Sequence, residues 1–157
     1  MIRTKLTIID RDAGLKKLLR ETLIPGRTNV TVGVQADIGA QQHVGSKLTV
    51  LDIATIHEFG LGNNPERSFI RATFDENQEQ NLELIYRLAQ LVVDGKLTRE
   101  QALNQLGLRF QAQVIDRINS NIPPPLAPAT IKRKGSSLAL VDTGQLKSSI
   151  TYRIEQE

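Results

Sequence analysis

A chain of 157 residues, 39% of them apolar and 24% charged, falls in the ordinary globular range, long enough for one domain with a real core and short for two. It contains no cysteine, which excludes a disulfide framework, a thiolate zinc site and a cysteine nucleophile, and no apolar run reaches the length of a signal peptide or a membrane span, so a soluble chain made in the cytoplasm is expected. Its 20 Lys+Arg exceed its 17 Asp+Glu by only +3, a small surplus that by itself makes a weak case for nucleic acid, and the one dense basic cluster is Lys132-Arg133-Lys134.

Aromatic residues are scarce, so the core is expected to consist of Leu, Ile, Val and Ala. Ile2, Leu6 and Ile8, loosely alternating with Arg3, Lys5 and Thr7, predict a strand over residues 2–9. Asp10 offers an N-cap, after which Leu15, Leu18, Leu19 and Leu23 recur at helical spacing as far as the Pro25-Gly26 stop. Val30, Val32 and Val34 alternate with Thr31 and Gly33, a strand with one buried face. The polar stretch from Asp37 to Lys47, with Gly39 and Gly45, predicts a long loop or mobile arm. Thr49 and Asp52 have the spacing of a capping box and open a helix through Val50, Ile53, Ala54 and Ile56 that reaches Phe59 and stops at Gly60. Leu61 to Glu66 is a turn, and Ser68 is placed to cap the segment carrying Phe69, Ile70, Ala72 and Phe74.

From Asp75 to Val93 the period is helical, with Leu82, Ile85, Leu88, Ala89 and Val92 on one face, widened by Leu84 and Leu91. Asp94-Gly95 breaks it, and Thr98 with Gln101 starts a second capping box followed by Leu103, Leu106, Phe110, Val114 and Ile118. Two long helices with so short a link predict an antiparallel hairpin. Pro123, Pro124 and Pro125 forbid helix and favour an extended polyproline path, and Lys132 to Ser137 is polar and expected to be flexible. Asp142 is a candidate cap for a short helix through Leu146, and Ile150, Tyr152 and Ile154 alternate as a last strand. The expected fold is α+β, a single domain over residues 1–157. A small antiparallel or mixed sheet from strands near both ends packs with the helical hairpin, and extended loops near 37–47 and 120–140 serve as arms.

Few residue patterns carry chemistry. His57-Glu58 begins like the H-E-x-x-H zinc motif, but the position of the second histidine is Leu61, and the other histidine, His43, lies in the polar loop. The pair therefore reads as helix-end residues that hydrogen-bond or form an interface. There is no nucleophile elbow and no phosphate loop, and Asp75 and Glu76 suit a helix start. No catalytic residue, metal ligand or cofactor is expected. The alternatives are a non-enzymatic, basic nucleic-acid-binding module and, behind it, a metal-dependent hydrolase built on His57 and Glu58.

Three stretches together resemble the tail-completion, neck and virion-morphogenesis proteins of lambda-like and Mu-like tailed bacteriophages. The first is Ile53 to Gly60, with its His57-Glu58-Phe59-Gly60 ending; the second is Pro65-Glu66-Arg67-Ser68-Phe69-Ile70-Arg71, in which Ser68 stands where that family often has proline. The third and most specific runs from Pro124 to Gly135 and continues through Leu140-Val141-Asp142-Thr143-Gly144-Gln145-Leu146 to Tyr152. The resemblance implies a structural component of the virion, assembled in the bacterial host cytoplasm. It further implies a ring, a hexamer by analogy, at the head–tail junction or the head-proximal end of the tail, with other neck, connector or tail-tube proteins as partners. His57, Glu58, Phe59, Arg67, Phe69, Arg71, Leu126 and Thr130 are then the expected interface residues. Lys132, Arg133 and Lys134 are the residues expected to face packaged DNA, and no membrane is involved.

Overall fold

The computed structural model describes residues 28–156, so the strand expected over residues 2–9 and the helix ending at Pro25-Gly26 lie outside the described residues. Strand β1, Thr28–Val34, pairs antiparallel with β2, Ile150–Gln156, in a register that sets Val30 opposite Ile154, Val32 opposite Tyr152 and Val34 opposite Ile150. The fold is α+β, with a two-stranded sheet drawn from both ends of the described chain and packed on helices.

After a single helical turn, α1 (Ala36–Gly39), the chain reverses on itself. Gln42 bridges Thr49, the His43 amide donates to Leu48 O (2.8 Å) and the Val50 amide donates to Gln41 O (2.9 Å). The expected mobile arm over 37–47 is therefore a closed reversal. The Gln145 side chain clamps it from a hundred residues away, accepting from the Val44 amide (2.8 Å) and donating to Gln42 O (3.1 Å). Two backbone groups that would otherwise need water are satisfied inside the chain, which is what a loop of this length requires in order to stay put.

Helix α2, Val50–Phe59, starts at the expected capping box: Thr49 Oγ1 accepts the Asp52 amide (3.1 Å) and Asp52 Oδ2 accepts the Thr49 amide (2.9 Å). It ends at Gly60 in the left-handed region (φ 66°), where a Cβ would lie 2.6 Å from Glu66 N, so only glycine fits. Two helices replace the expected continuous one: α3, Arg71–Glu76, and α4, Gln78–Val93. The break falls at Asn77, whose side-chain amide donates to Thr73 O (2.7 Å) and competes with the regular backbone ladder. Ser68 is not at the N-cap, which is Ile70, but its hydroxyl accepts the Ala72 amide (3.2 Å).

The longest helix, α5, Arg99–Asn119, begins at the Thr98/Gln101 capping box and returns along α4. Leu88, Val92 and Ala102 form the small core of this hairpin, flanked by Leu84, Leu91, Leu97 and Leu106. The inward face of α4 is thus rotated from the expected one. Leu88 and Val92 are buried, but Leu82 and Ile85 are 45% and 39% exposed, and Ala89 also faces outward. Burying a broad stripe takes neighbours on more than one side, and α5 supplies a single narrow contact. Two turns before Leu88 the inward position is polar: Asn81 accepts a hydrogen bond from Gln113 Nε2 (2.8 Å).

Beyond α5 the chain bends at Pro123 and Pro124, whose mutual peptide bond is cis, and then forms a helix where a flexible arm was expected: α6, Pro128–Lys134. Its ends are favourable, with Pro128 at the first position, Gly135 in the left-handed conformation after the last, and three cations in the last turn against the negative end of the dipole. A last short helix, α7, Gln145–Ser148, is preceded by Gly144 (φ 79°). Asp142 does not cap it; the Gln145 amide donates instead to Thr143 Oγ1 (3.3 Å). The main core joins both strands with α2, α3, α5 and α7: Val50, Ala54, Phe69, Val114, Ile118, Ile122, Leu140, Leu146 and Ile150, against Val32, Val34 and Phe74. Each such side chain contributes about 1.5–3 kcal/mol on leaving water. No helix among the described residues is long and apolar enough to cross a membrane.

Candidate functional site

Glu58 stands in the last turn of α2, where the helix dipole opposes a negative charge, and it is only 4% exposed. Its carboxylate survives there because it meets the start of α3. Oε2 accepts the amides of Phe69 (2.8 Å) and Ile70 (2.9 Å); Oε1 accepts the Arg71 amide (2.9 Å), the Ser68 hydroxyl (2.7 Å) and Arg71 Nε (3.2 Å). Burial alone would raise this carboxyl, but the converging donors outweigh it and hold the pKa below the ordinary glutamate value. One side chain thus supplies the acceptors that the first amides of α3 lack. Arg71 completes the corner, donating also to Glu58 O (3.0 Å) and Glu66 Oε1 (2.7 Å) while lying over the Phe59 ring at 4.7 Å.

Arg67 performs the next tie. It is 4% exposed, its amide donates to His57 O (2.7 Å), and its guanidinium donates twice to Pro124 O, from Nε (3.1 Å) and Nη2 (2.6 Å). On the far side Arg117 Nε donates to Ser68 O (2.8 Å), and its guanidinium also pairs with Glu76. Asn121 Oδ1 accepts the Ala139 amide (3.0 Å), and Lys134 Nζ donates to Leu138 O (2.7 Å) and Ala139 O (3.1 Å). Residues 53–60, 65–71 and 124–146, far apart in sequence, are thereby laced into one unit.

Between them lies an open cleft of about 630 Å³, lined among others by His43, Ile53, His57, Arg67, Leu126, Thr130, Arg133, Lys134, Leu140, Asp142 and Leu146. His57 Nδ1 is buried with no hydrogen-bond partner among the described residues. Its burial, then the positive charges of Arg67 and Lys134 and the nearby His43, hold its pKa below the ordinary histidine value, so the ring is neutral at pH 7. Lys134 is likewise lowered, by burial first and by Arg67, with Asp142 acting in the opposite direction. Among the described residues no three His, Cys, Asp or Glu side chains are grouped as metal ligands.

The expected interface residues divide. Glu58 and Phe69 are interior bracing residues; Arg67, almost as buried, braces Pro124 and also borders the cleft. Phe59 and Arg71 are exposed beside the Glu58 corner, and His57, Leu126 and Thr130 are half-buried along the cleft. The basic cluster does not form one patch: Lys134 turns its ammonium to backbone carbonyls, Arg133 lines the cleft, and Lys132 is exposed. Sequence reasoning missed Gln145 and Asn121, which act over long sequence separations, and it gave no sign that His43 and His57 would share a cleft. Comparisons of the chain with protein-family models, with curated proteins and with solved structures find no match.

Proposed function

We propose that this chain is a structural subunit of a tailed-bacteriophage particle, of the tail-completion or neck type, forming a ring at the head–tail junction or the head-proximal end of the tail. The observation that carries the reading is how the residues behind the resemblance are used. Glu58, Ser68, Phe69 and Arg71 form one hydrogen-bonded corner, Arg67 ties it to Pro124, and the donors converging on Glu58 leave its carboxylate fully engaged. A motif engaged in bracing suits a subunit whose task is shape.

The exposed surface agrees with assembly. Leu82, Ile85, Tyr86 and Val93 recur on one side of α4 at 45%, 39%, 72% and 49% exposure, with Ala89 between them. A stripe at this spacing on a lone subunit marks a contact surface. The occupant is a second copy, whose α4 presents the same stripe and can cover this one by antiparallel apposition about Tyr86. Lys132 is left as an outward cation for the DNA channel.

The test is electron microscopy of lysates from a phage carrying an early stop codon in this gene alone. Filled heads beside separate tails are expected. Complete, infectious particles would remove the proposal.

A further inference from the structure

We propose that the cleft between α2, α6 and the turn before α7 is a receptor for an acidic peptide segment with aliphatic flanks, supplied by a neighbouring subunit of the assembly. Arg67, Arg133 and Lys134 all line it against a single carboxylate, Asp142, and none makes an ion pair with an acidic side chain among the described residues. Two of these cations are already fixed in place. Arg67 donates twice to Pro124 O, and Lys134 donates to Leu138 O and Ala139 O. Neutral carbonyls orient a cation but do not cancel its charge, so an incoming carboxylate finds positive charge held in position at little ordering cost.

The remaining lining names the flanks. The half-buried Ile53 and Leu126 present aliphatic surface in the same cleft, with the core residues Leu140 and Leu146 behind them, which favours a peptide that alternates carboxylates with apolar side chains. Duplex DNA fits less well. Phosphate binding along a duplex uses several outward cations spread over a face, whereas Arg67, Arg133 and Lys134 line one concave cleft. A cleft of about 630 Å³ is also of small-ligand size and takes a few side chains, far less than a double helix.

The proposal takes only the source of the segment from the particle reading, and its test uses the purified full chain, so the two fail separately. Short random peptides displayed on cells are selected for binding to the chain. Enrichment of Asp or Glu beside Leu, Ile or Val is expected. Amide signals of Thr143 and Gly144 should shift when a selected peptide is added. Arg133→Glu, at an exposed position that leaves the fold intact, should weaken binding about tenfold or more. Lys132→Glu, the same charge change on α6 outside the cleft, should leave binding unchanged. Enrichment without acidic residues, or equal losses from Arg133→Glu and Lys132→Glu, would overturn the proposal. Tight binding of a duplex oligonucleotide that Arg133→Glu abolishes would replace it with a nucleic-acid site.

Discussion

Gly107 sits in the interior of α5, where glycine costs about 1 kcal/mol relative to alanine. The Tyr152 ring explains it: a Cβ on Gly107 would lie 2.1 Å from Tyr152 Cδ2, and Tyr152 is also held by its hydroxyl, which donates to Asn104 Oδ1 (3.0 Å). Gly107→Ala should therefore destabilise by about 1–3 kcal/mol in urea unfolding despite its better helix propensity, and a gain in stability would contradict the packing. Glu58→Gln keeps the shape but removes the charge that Arg71 and three amides meet, a loss of about 3 kcal/mol by the same measurement. The two groups also separate by pH. The folded His57 pKa lies below the unfolded value of 6.5, so below that pH the unfolded chain binds more protons and stability falls until the folded value is passed. The folded Glu58 pKa lies below 4.5, so its contribution is complete above that pH and is lost as pH drops further through the folded value. In thermal melts His57→Gln should flatten the decline just below pH 6.5 and leave the acid limb near 4.5; an unchanged profile would exclude His57 as its origin. The sequence named Glu58 but not its partners, because its acceptor role depends on where α3 begins.

At the scale of elements, both capping boxes were readable because their hydrogen bonds span three residues. The same is true of Gly60 and of the valine alternation in β1. What failed depended on neighbours. The signals that start and end α6, Pro128 and Gly135, are present in the sequence but stand beside a proline run that reads as extended chain. The reversal after α1 is held by Gln145, which no local pattern announces. The face of α4 was misread because its apolar residues exceed what α5 covers, and the surplus is the stripe assigned to a second copy. Leu82→Ser with Tyr86→Ser should change subunit stability by no more than about 0.5 kcal/mol per site, since both positions are exposed, yet prevent particle completion in a complementation assay. Full complementation would mean that the stripe has no partner in the particle.

Over the whole molecule, the α+β class and the helical hairpin followed from periodicity. The sheet expected from strands near both ends is there, but the register of Thr28–Val34 on Ile150–Gln156 required the fold, because strands so far apart in sequence carry no mutual signal of alignment. The lacing of residues 53–60, 65–71 and 124–146 was equally hidden, although each stretch was singled out by resemblance. That lacing gives a rigid frame with two surfaces left over, the α4 stripe and the basic cleft, and a ring subunit needs both a contact to its own kind and a contact to the next layer. Electron cryomicroscopy of the purified phage addresses this directly. The proposal predicts density for this chain in a ring at the head–tail junction or the head-proximal tail end, with Leu82, Ile85 and Tyr86 buried against a neighbouring copy. Particles from which the chain is missing, or in which that face of α4 is turned to solvent, would contradict it.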